Sequence, residues 1–187
     1  KNNKRFLLGF EESYGYLIGD YARDKDAIVA TGLTAVLALF YKEQGKTLYE
    51  RLQEIYKQYG YYKEDLIAIR REGKEGQEKI AKVLNLLREE EKEELASRKI
   101  IHFSDYQEGK AYDLKKEKES EINLPQSNVL QYKLEDGSKI TIRPSGTEPK
   151  LKLYFAVNGD SREQAQTELE EIKELVVTDI KESLQEL

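Results

Sequence analysis

The sequence predicts an α+β fold in two unequal pieces, and three patterns in it lead there. Residues 26–44 and 48–59 carry apolar side chains at helical spacing, and this period stops at Gly60. Beyond residue 60, alternating runs at 61–71, 129–134, 139–142 and 151–157 read as strands of an antiparallel sheet. Two amphipathic stretches, 75–94 and 161–183, supply helices that can cover one face of that sheet. A boundary near residue 60 follows. The front piece, 1–60, is a strand, a loop and two helices with an incomplete sheet, and the back piece, 61–187, is a complete sheet-and-helix unit.

Taken in order, Arg5-Phe6-Leu7-Leu8-Gly9-Phe10 reads as a short buried strand, too early in the chain to have a neighbour to pair with. Residues 11–16 form a polar loop that contains Gly15. In the first helix Ile28, Val29, Leu33, Val36, Leu37 and Phe40 recur at helical spacing; Asp24 or Asp26 can cap its start, and Gly45 sits where it should stop. Thr47 can cap the second helix, whose apolar face is Leu48, Leu52, Ile55, Tyr56 and Tyr59, and Gly60 ends it. After the strand at 61–71, the helix at 75–94 presents Ile80, Val83, Leu84 and Leu87. Lys99-Ile100-Ile101-His102-Phe103 is a strand, and the charged 110–123 segment is a loop or edge ribbon. Glu135-Asp136-Gly137-Ser138 is a hairpin turn between two strands. Ser161 caps the last helix, with Ala165, Leu169, Ile172, Leu175 and Val176 inward. No internal repeat is visible.

Composition excludes several classes of function. Charged residues make up 36% of the 187 positions, with a net charge of −5. Lys and Arg are interleaved with acids rather than clustered, which argues against a nucleic-acid partner. A small anion can still be held, but only by a local group of donors working against the overall charge. The sequence has no cysteine, so disulfides and thiolate metal sites are excluded, as suits a reducing cytoplasm. No apolar run approaches the ~20 residues that span a bilayer; the longest, 27–41, is broken by Thr31, Gly32 and Thr34. The basic start, Lys1 to Arg5, is not followed by a signal-type core and reads as a chain cut midway. His102, the single histidine, suits a half-buried strand position better than a catalytic one. No Asp, Glu or His cluster suggests a metal site.

Arg143-Pro144-Ser145-Gly146-Thr147-Glu148-Pro149 carries the strongest chemical signal. It joins two strands, so one reading is an ordinary hairpin connection. The other is a phosphate-binding loop: an Arg fork, two hydroxyls and backbone N–H groups around Gly146 are the converging donors a phosphate needs. Pro144 and Pro149 stiffen the segment and reduce the entropy lost on binding. Glu11-Glu12-Ser13 permits a turn reading and a sugar reading, since a carboxylate accepts two hydrogen bonds from a vicinal diol. Arg23 and Lys25, just before a helix start, read as surface charges on residue types alone.

On these residues the sequence resembles the α-D-phosphohexomutases, specifically the bacterial phosphoglucomutase/phosphomannomutase type. Gly9-Phe10-Glu11-Glu12-Ser13-Tyr14-Gly15 looks like the sugar-binding loop of that family's third domain, and the Arg143 to Pro149 segment like the phosphate-binding loop of its fourth. Arg23-Asp24-Lys25-Asp26 followed by an apolar helix matches the stretch after the sugar loop. The similarity runs over essentially the whole chain.

The resemblance implies that 1–60 is the last strand, sugar loop and helices of an α/β third domain. It implies that 61–187 is a TATA-binding-protein-like fourth domain, a fold name that carries no DNA binding with it. By position, Glu11 and Ser13 would hold sugar hydroxyls, whether of glucose or mannose phosphate. Arg143, Ser145, Gly146 and Thr147 would hold the phosphate that is not transferred, and Lys152 would add a basic contact. Lys25 would sit at the edge of the active site as an auxiliary to proton transfer or binding. The family's phosphoserine loop and its Asp-Gly-Asp-x-Asp-Arg magnesium loop are not in this sequence; Asp136-Gly137-Ser138 is a hairpin turn and no remnant of the latter. The implied partners are a phosphosugar and the N-terminal domains of the same enzyme, with magnesium held there and glucose 1,6-bisphosphate as the intermediate. The chain alone is then expected to be inactive. A free-standing phosphosugar-binding module and a structural domain with a vestigial loop are the alternatives.

Overall fold

The structure, a computed structural model, describes residues 5–11, 15–146 and 148–186. It divides into two compact units, Lys1–Tyr59 and Gly60–Leu187.

In the first unit, β1 (Leu8–Phe10) pairs antiparallel with β2 (Tyr16–Ile18), with Gly9 opposite Leu17. The expected strand over 5–10 is therefore shorter, and it does have a local partner. Glu11 N–H donates to the Gly15 carbonyl at 2.8 Å, which turns the chain back so that Tyr16 begins a strand instead of closing a loop. Nor is the strand buried, since Phe10 is 74% exposed. Helix α1 (Ala27–Glu43) starts at Asp26, whose carboxylate accepts from the N–H groups of Ile28 and Val29. Helix α2 (Leu48–Tyr59) starts with a capping box: Thr47 Oγ1 accepts from Glu50 N–H, and the Glu50 carboxylate accepts from Thr47 N–H. Neither helix has a buried residue.

The second unit begins with β3 (Tyr61–Arg70) and α3 (Gly73–Glu89). Strands β4 (Glu94–Leu95), β5 (Arg98–Asp105), β6 (Lys110–Asp113), β7 (Lys118–Glu121), β8 (Leu130–Leu134), β9 (Lys139–Pro144) and β10 (Lys150–Gly159) follow, and α4 (Arg162–Glu186) closes the chain. The sheet runs β3-β10-β9-β8-β5-β6-β7, every pairing antiparallel, with β4 on β5. Along β10 burial alternates: Leu151, Leu153, Phe155 and Val157 enter the core, and the residues between them face the other side. The core is shared with Val83 and Leu84 of α3 and Ile172, Val176 and Ile180 of α4, so both helices lie on one face of the sheet.

Helix α3 stops five residues before the expected end at 94. Leu95 is buried only because the chain leaves the helix and pairs as β4, turning through Ala96 and Ser97, both at positive φ. The Tyr132 hydroxyl donates to the Leu87 carbonyl, satisfying one of the acceptors left over at the end of α3. Arg88, the next residue, pairs with the buried Asp105 at 2.7 Å. The charged 110–123 segment is an edge ribbon, β6 with β7, crossed by a Lys110–Glu119 ion pair. A fully exposed, charged edge strand is poorly suited to pairing with other chains. Among the described residues, no helix is long and apolar enough to cross a membrane.

Candidate functional site

The site residues expected from the sequence fall in two groups, one in each unit. In the first unit the loop after β1 is closed by the Glu11–Gly15 hydrogen bond, and a second bond from Asp26 N–H to the Tyr16 carbonyl brings the start of α1 against it. Lys25 is placed by these two contacts. Its Nζ lies 3.4 Å from Glu11 Oε1 and 3.3 Å from Asp24 Oδ1. The stem of Lys25 crosses Gly15 so closely that a Cβ there would come within 2.5 Å of Lys25 Cγ, so the glycine is needed for the crossing. Asp24 first, and then Glu11, raise the Lys25 pKa above its ordinary value. Lys25 therefore stays a cation at neutral pH. Ser13 lies outside the described residues.

In the second unit the candidate loop is the tight connection from β9 to β10. Ser145 N–H donates to the Lys150 carbonyl at 2.8 Å, so that amide is spent in closing the turn and is not among the donors left for a ligand. Gly146 is exposed and open: a Cβ built there meets nothing within 4 Å. Thr147 lies outside the described residues. Arg143 stands directly opposite Lys152, on the sheet face away from the helices. Among the described residues, neither the Arg143 guanidinium nor the Lys152 ammonium has an ion-pair or hydrogen-bond partner. Two cations, a hydroxyl-bearing turn and open backbone thus meet at one corner of the sheet.

Two further cations belong to this corner, and motif reading missed both. Lys150 follows the loop, and Arg70 ends β3 directly opposite it. Lys150 Nζ pairs with Glu148 at 2.6 Å. That ion pair, followed by the charges of Arg70 and Lys152, holds the Glu148 carboxyl below its usual range. Lys150 was within sight of the motif. Arg70 was not, because only strand pairing brings it there.

Other depressions have a different character. A groove of about 950 Å³ between the α3–β4 connection and β5 to β7 is lined mainly by charges, among them the paired Arg88 with Asp105 and Lys92 with Glu90. A hollow of about 210 Å³ lies between the loop, at Ser145 and Pro149, and Gln77 and Ala81 of α3. His102 is half-buried in β5. Among the described residues no group of three or more His, Cys, Asp or Glu is placed to hold a metal ion.

Comparison with known proteins bears on both units. A family model described as the phosphoglucomutase/phosphomannomutase C-terminal domain matches residues 66–175. Another, for the alpha/beta/alpha domain III of the same proteins, matches residues 1–59. A phosphoglucomutase of Staphylococcus haemolyticus is 39% identical over 168 residues, 90% of this chain and 30% of that protein. One from Staphylococcus aureus strain USA300 is 37% identical over 156 residues, 83% of this chain and 28% of that protein. The chain thus spans under a third of the length of these curated relatives. A crystal structure of the exocytosis-sensitive phosphoprotein pp63/parafusin, a phosphoglucomutase from Paramecium in its open form, is similar with a TM-score of 0.59. It covers 95% of this chain and 30% of its own, and at 19% identity the likeness is one of fold. Since the first of these family models alone accounts for more than half of the sequence, the chain belongs to the phosphoglucomutase/phosphomannomutase family.

Proposed function

We propose that this chain is the C-terminal portion of a cytoplasmic phosphohexomutase that interconverts hexose 1-phosphate and hexose 6-phosphate. Residues 1–60 are the end of its third domain and 61–187 its fourth. The observation that carries this reading is the Arg143–Lys152 pair beside the Ser145–Gly146 turn, two cations directly opposite each other with no ion-pair or hydrogen-bond partner among the described residues. Like charges directly opposite each other on a sheet cost stability, and an anion between them removes the cost. The exposed apolar residues of α1, Val36 at 64% and Phe40 at 54% among them, support a first unit that belongs to a larger domain.

In this reading the fragment grips and the rest of the enzyme reacts. Arg143, Ser145, Gly146, Thr147 and Lys152 hold the phosphate that stays in place. Glu11 and Ser13 accept and donate hydrogen bonds to the sugar hydroxyls, and Lys25, kept protonated by Asp24 and Glu11, donates to a substrate oxygen. The intermediate, glucose 1,6-bisphosphate for a glucose substrate, must present either phosphate to the same clamp. Flexible cationic side chains suit that better than a close-fitting pocket. The phosphoserine and magnesium loops lie in the N-terminal half implied by the resemblance, and magnesium held there would supply charge neutralisation for phosphoryl transfer.

Titration with glucose 1,6-bisphosphate, followed by thermal shift, tests the clamp. The parent chain is expected to gain stability as ligand binds, and Arg143→Ala to weaken binding by about ten- to a hundredfold, the worth of a hydrogen bond to a charged group. Equal shifts in the two proteins would count against the reading. Mutase turnover by the purified chain would overturn the division of labour.

A further inference from the structure

Arg70 lies outside every motif of the sequence, yet the sheet sets it in the candidate phosphate site. Strand pairing builds two rows on the face away from the helices. Arg143, Lys152 and Ala68 form one. Lys150 and Arg70 form the next, with the Ser145 amide bonded at the Lys150 end. Arg70 and Lys152 are diagonal neighbours on adjacent strands, a separation that long side chains bridge. Ala68, the small residue closing the first row, leaves room between them. Both rows oppose like charges, Lys152 to Arg143 and Lys150 to Arg70, in a chain whose net charge is −5. A sheet that opposes cations twice in succession is held more weakly than one with mixed pairs, unless an anion sits over them.

One anion is already there. The Glu148 carboxylate takes Lys150 as its ion-pair partner and also feels the charges of Arg70 and Lys152. It marks the point that Lys150, Arg70 and Lys152 share, and it is a single carboxylate set against three cations. A phosphate dianion carries more charge and more acceptor oxygens than a carboxylate, so it is the stronger claimant for that point.

We propose that Arg70 is a phosphate-binding residue of this site and that Glu148 is its internal counter-ion, displaced from Lys150 and Arg70 when the phosphate binds. This rests on the phosphate-clamp reading of the Arg143 loop and extends it to β3. Glu148 shields the cations from one another while the site is empty, and its removal from Lys150 sets a threshold that weak anions do not cross.

The test is an NMR titration of the full chain with inorganic phosphate at pH 7.5 and constant ionic strength, following the amides of Ser145 and Gly146. Arg70→Ala is expected to raise the dissociation constant about fivefold, with Arg70→Lys falling between it and the parent. Glu148→Gln is expected to lower it about threefold. Lys139→Ala removes a charge from the far end of β9 and is expected to change it less than twofold, through screening. Arg70 ends a strand and is exposed, so circular dichroism and melting without phosphate should be unchanged or improved in Arg70→Ala. If Arg70→Ala binds as the parent does while Arg143→Ala loses binding, Arg70 is no ligand and the clamp still stands. If Lys139→Ala weakens binding as much as Arg70→Ala, the effect is diffuse charge and the proposal falls. If the parent chain gives no response, the clamp reading falls and takes this proposal with it.

Discussion

Asp65 and Lys173 illustrate how a single pair ties an element into this fold. Asp65 lies on the core side of β3, and its carboxylate meets Lys173 of α4 at 2.6 Å. The contact with Lys173 lowers the Asp65 pKa and raises that of Lys173. A depressed carboxyl stabilises the fold above its ordinary pKa near 4 and ceases to do so as pH falls through the depressed value. A raised amine contributes below its ordinary pKa near 10.5 and is lost only as pH climbs through the raised one. The tie is therefore intact across the neutral range. Asp65→Asn is expected to lower the melting temperature by a few degrees at pH 7, and the gap to the parent should close in acid as pH falls through the depressed Asp65 pKa. A gap that persists unchanged in acid would mean the loss was one of packing and not of charge. The same reasoning makes Lys25 a fixed cation, since Asp24 and Glu11 both favour its charged form.

At the scale of an element, α3 is the clearest case of sequence and packing pulling in opposite directions. Its buried face is regular, with Ile80, Val83, Leu84 and Leu87 all in the core. Yet Gly76 sits in the first turns, where intrinsic propensity favours alanine by about 1 kcal/mol. The reason is contact: a Cβ at Gly76 would lie 2.3 Å from the Arg71 carbonyl oxygen, a backbone atom with little freedom to move. Gly76→Ala is expected to destabilise the second unit by about 1–3 kcal/mol, as overpacking does, despite the gain in propensity. Urea unfolding measures it, and a more stable variant would refute the steric account. The consequence reaches the site, because Gln77 and Ala81 on the next turns wall the hollow beside Ser145.

At the scale of the molecule the two units differ in kind. In the second, Leu130, Leu134, Ile140, Leu151, Leu153 and Ile172 are essentially inaccessible, and both helices close over one sheet face. In the first, Gly15 alone among the described residues is buried. Apolar burial supplies most of the free energy that offsets chain entropy. Residues 60–187 produced alone are therefore expected to unfold in one cooperative transition. Residues 1–59 alone are expected to melt without one. Calorimetry on the two pieces decides this, and a sharp transition from the shorter piece would contradict it.

Much of this was legible in the chain itself. The caps at Asp26, Thr47 and Ser161, the 134–139 hairpin, the alternation of β10 and the buried stripe of α3 are all local, produced by neighbours in sequence acting on backbone geometry. The Arg143 loop stood out for the same reason, since its chemistry is contiguous. What tertiary structure decided is everything that depends on which strand lies beside which. It gave β1 a partner in β2, ended α3 early so that Leu95 could be buried, and turned the charged 110–123 segment into a ribbon. It also brought Arg70 to Lys150. No local period encodes that meeting, because register is set by the burial of whole strand faces, and the charges on the opposite face are carried along with it.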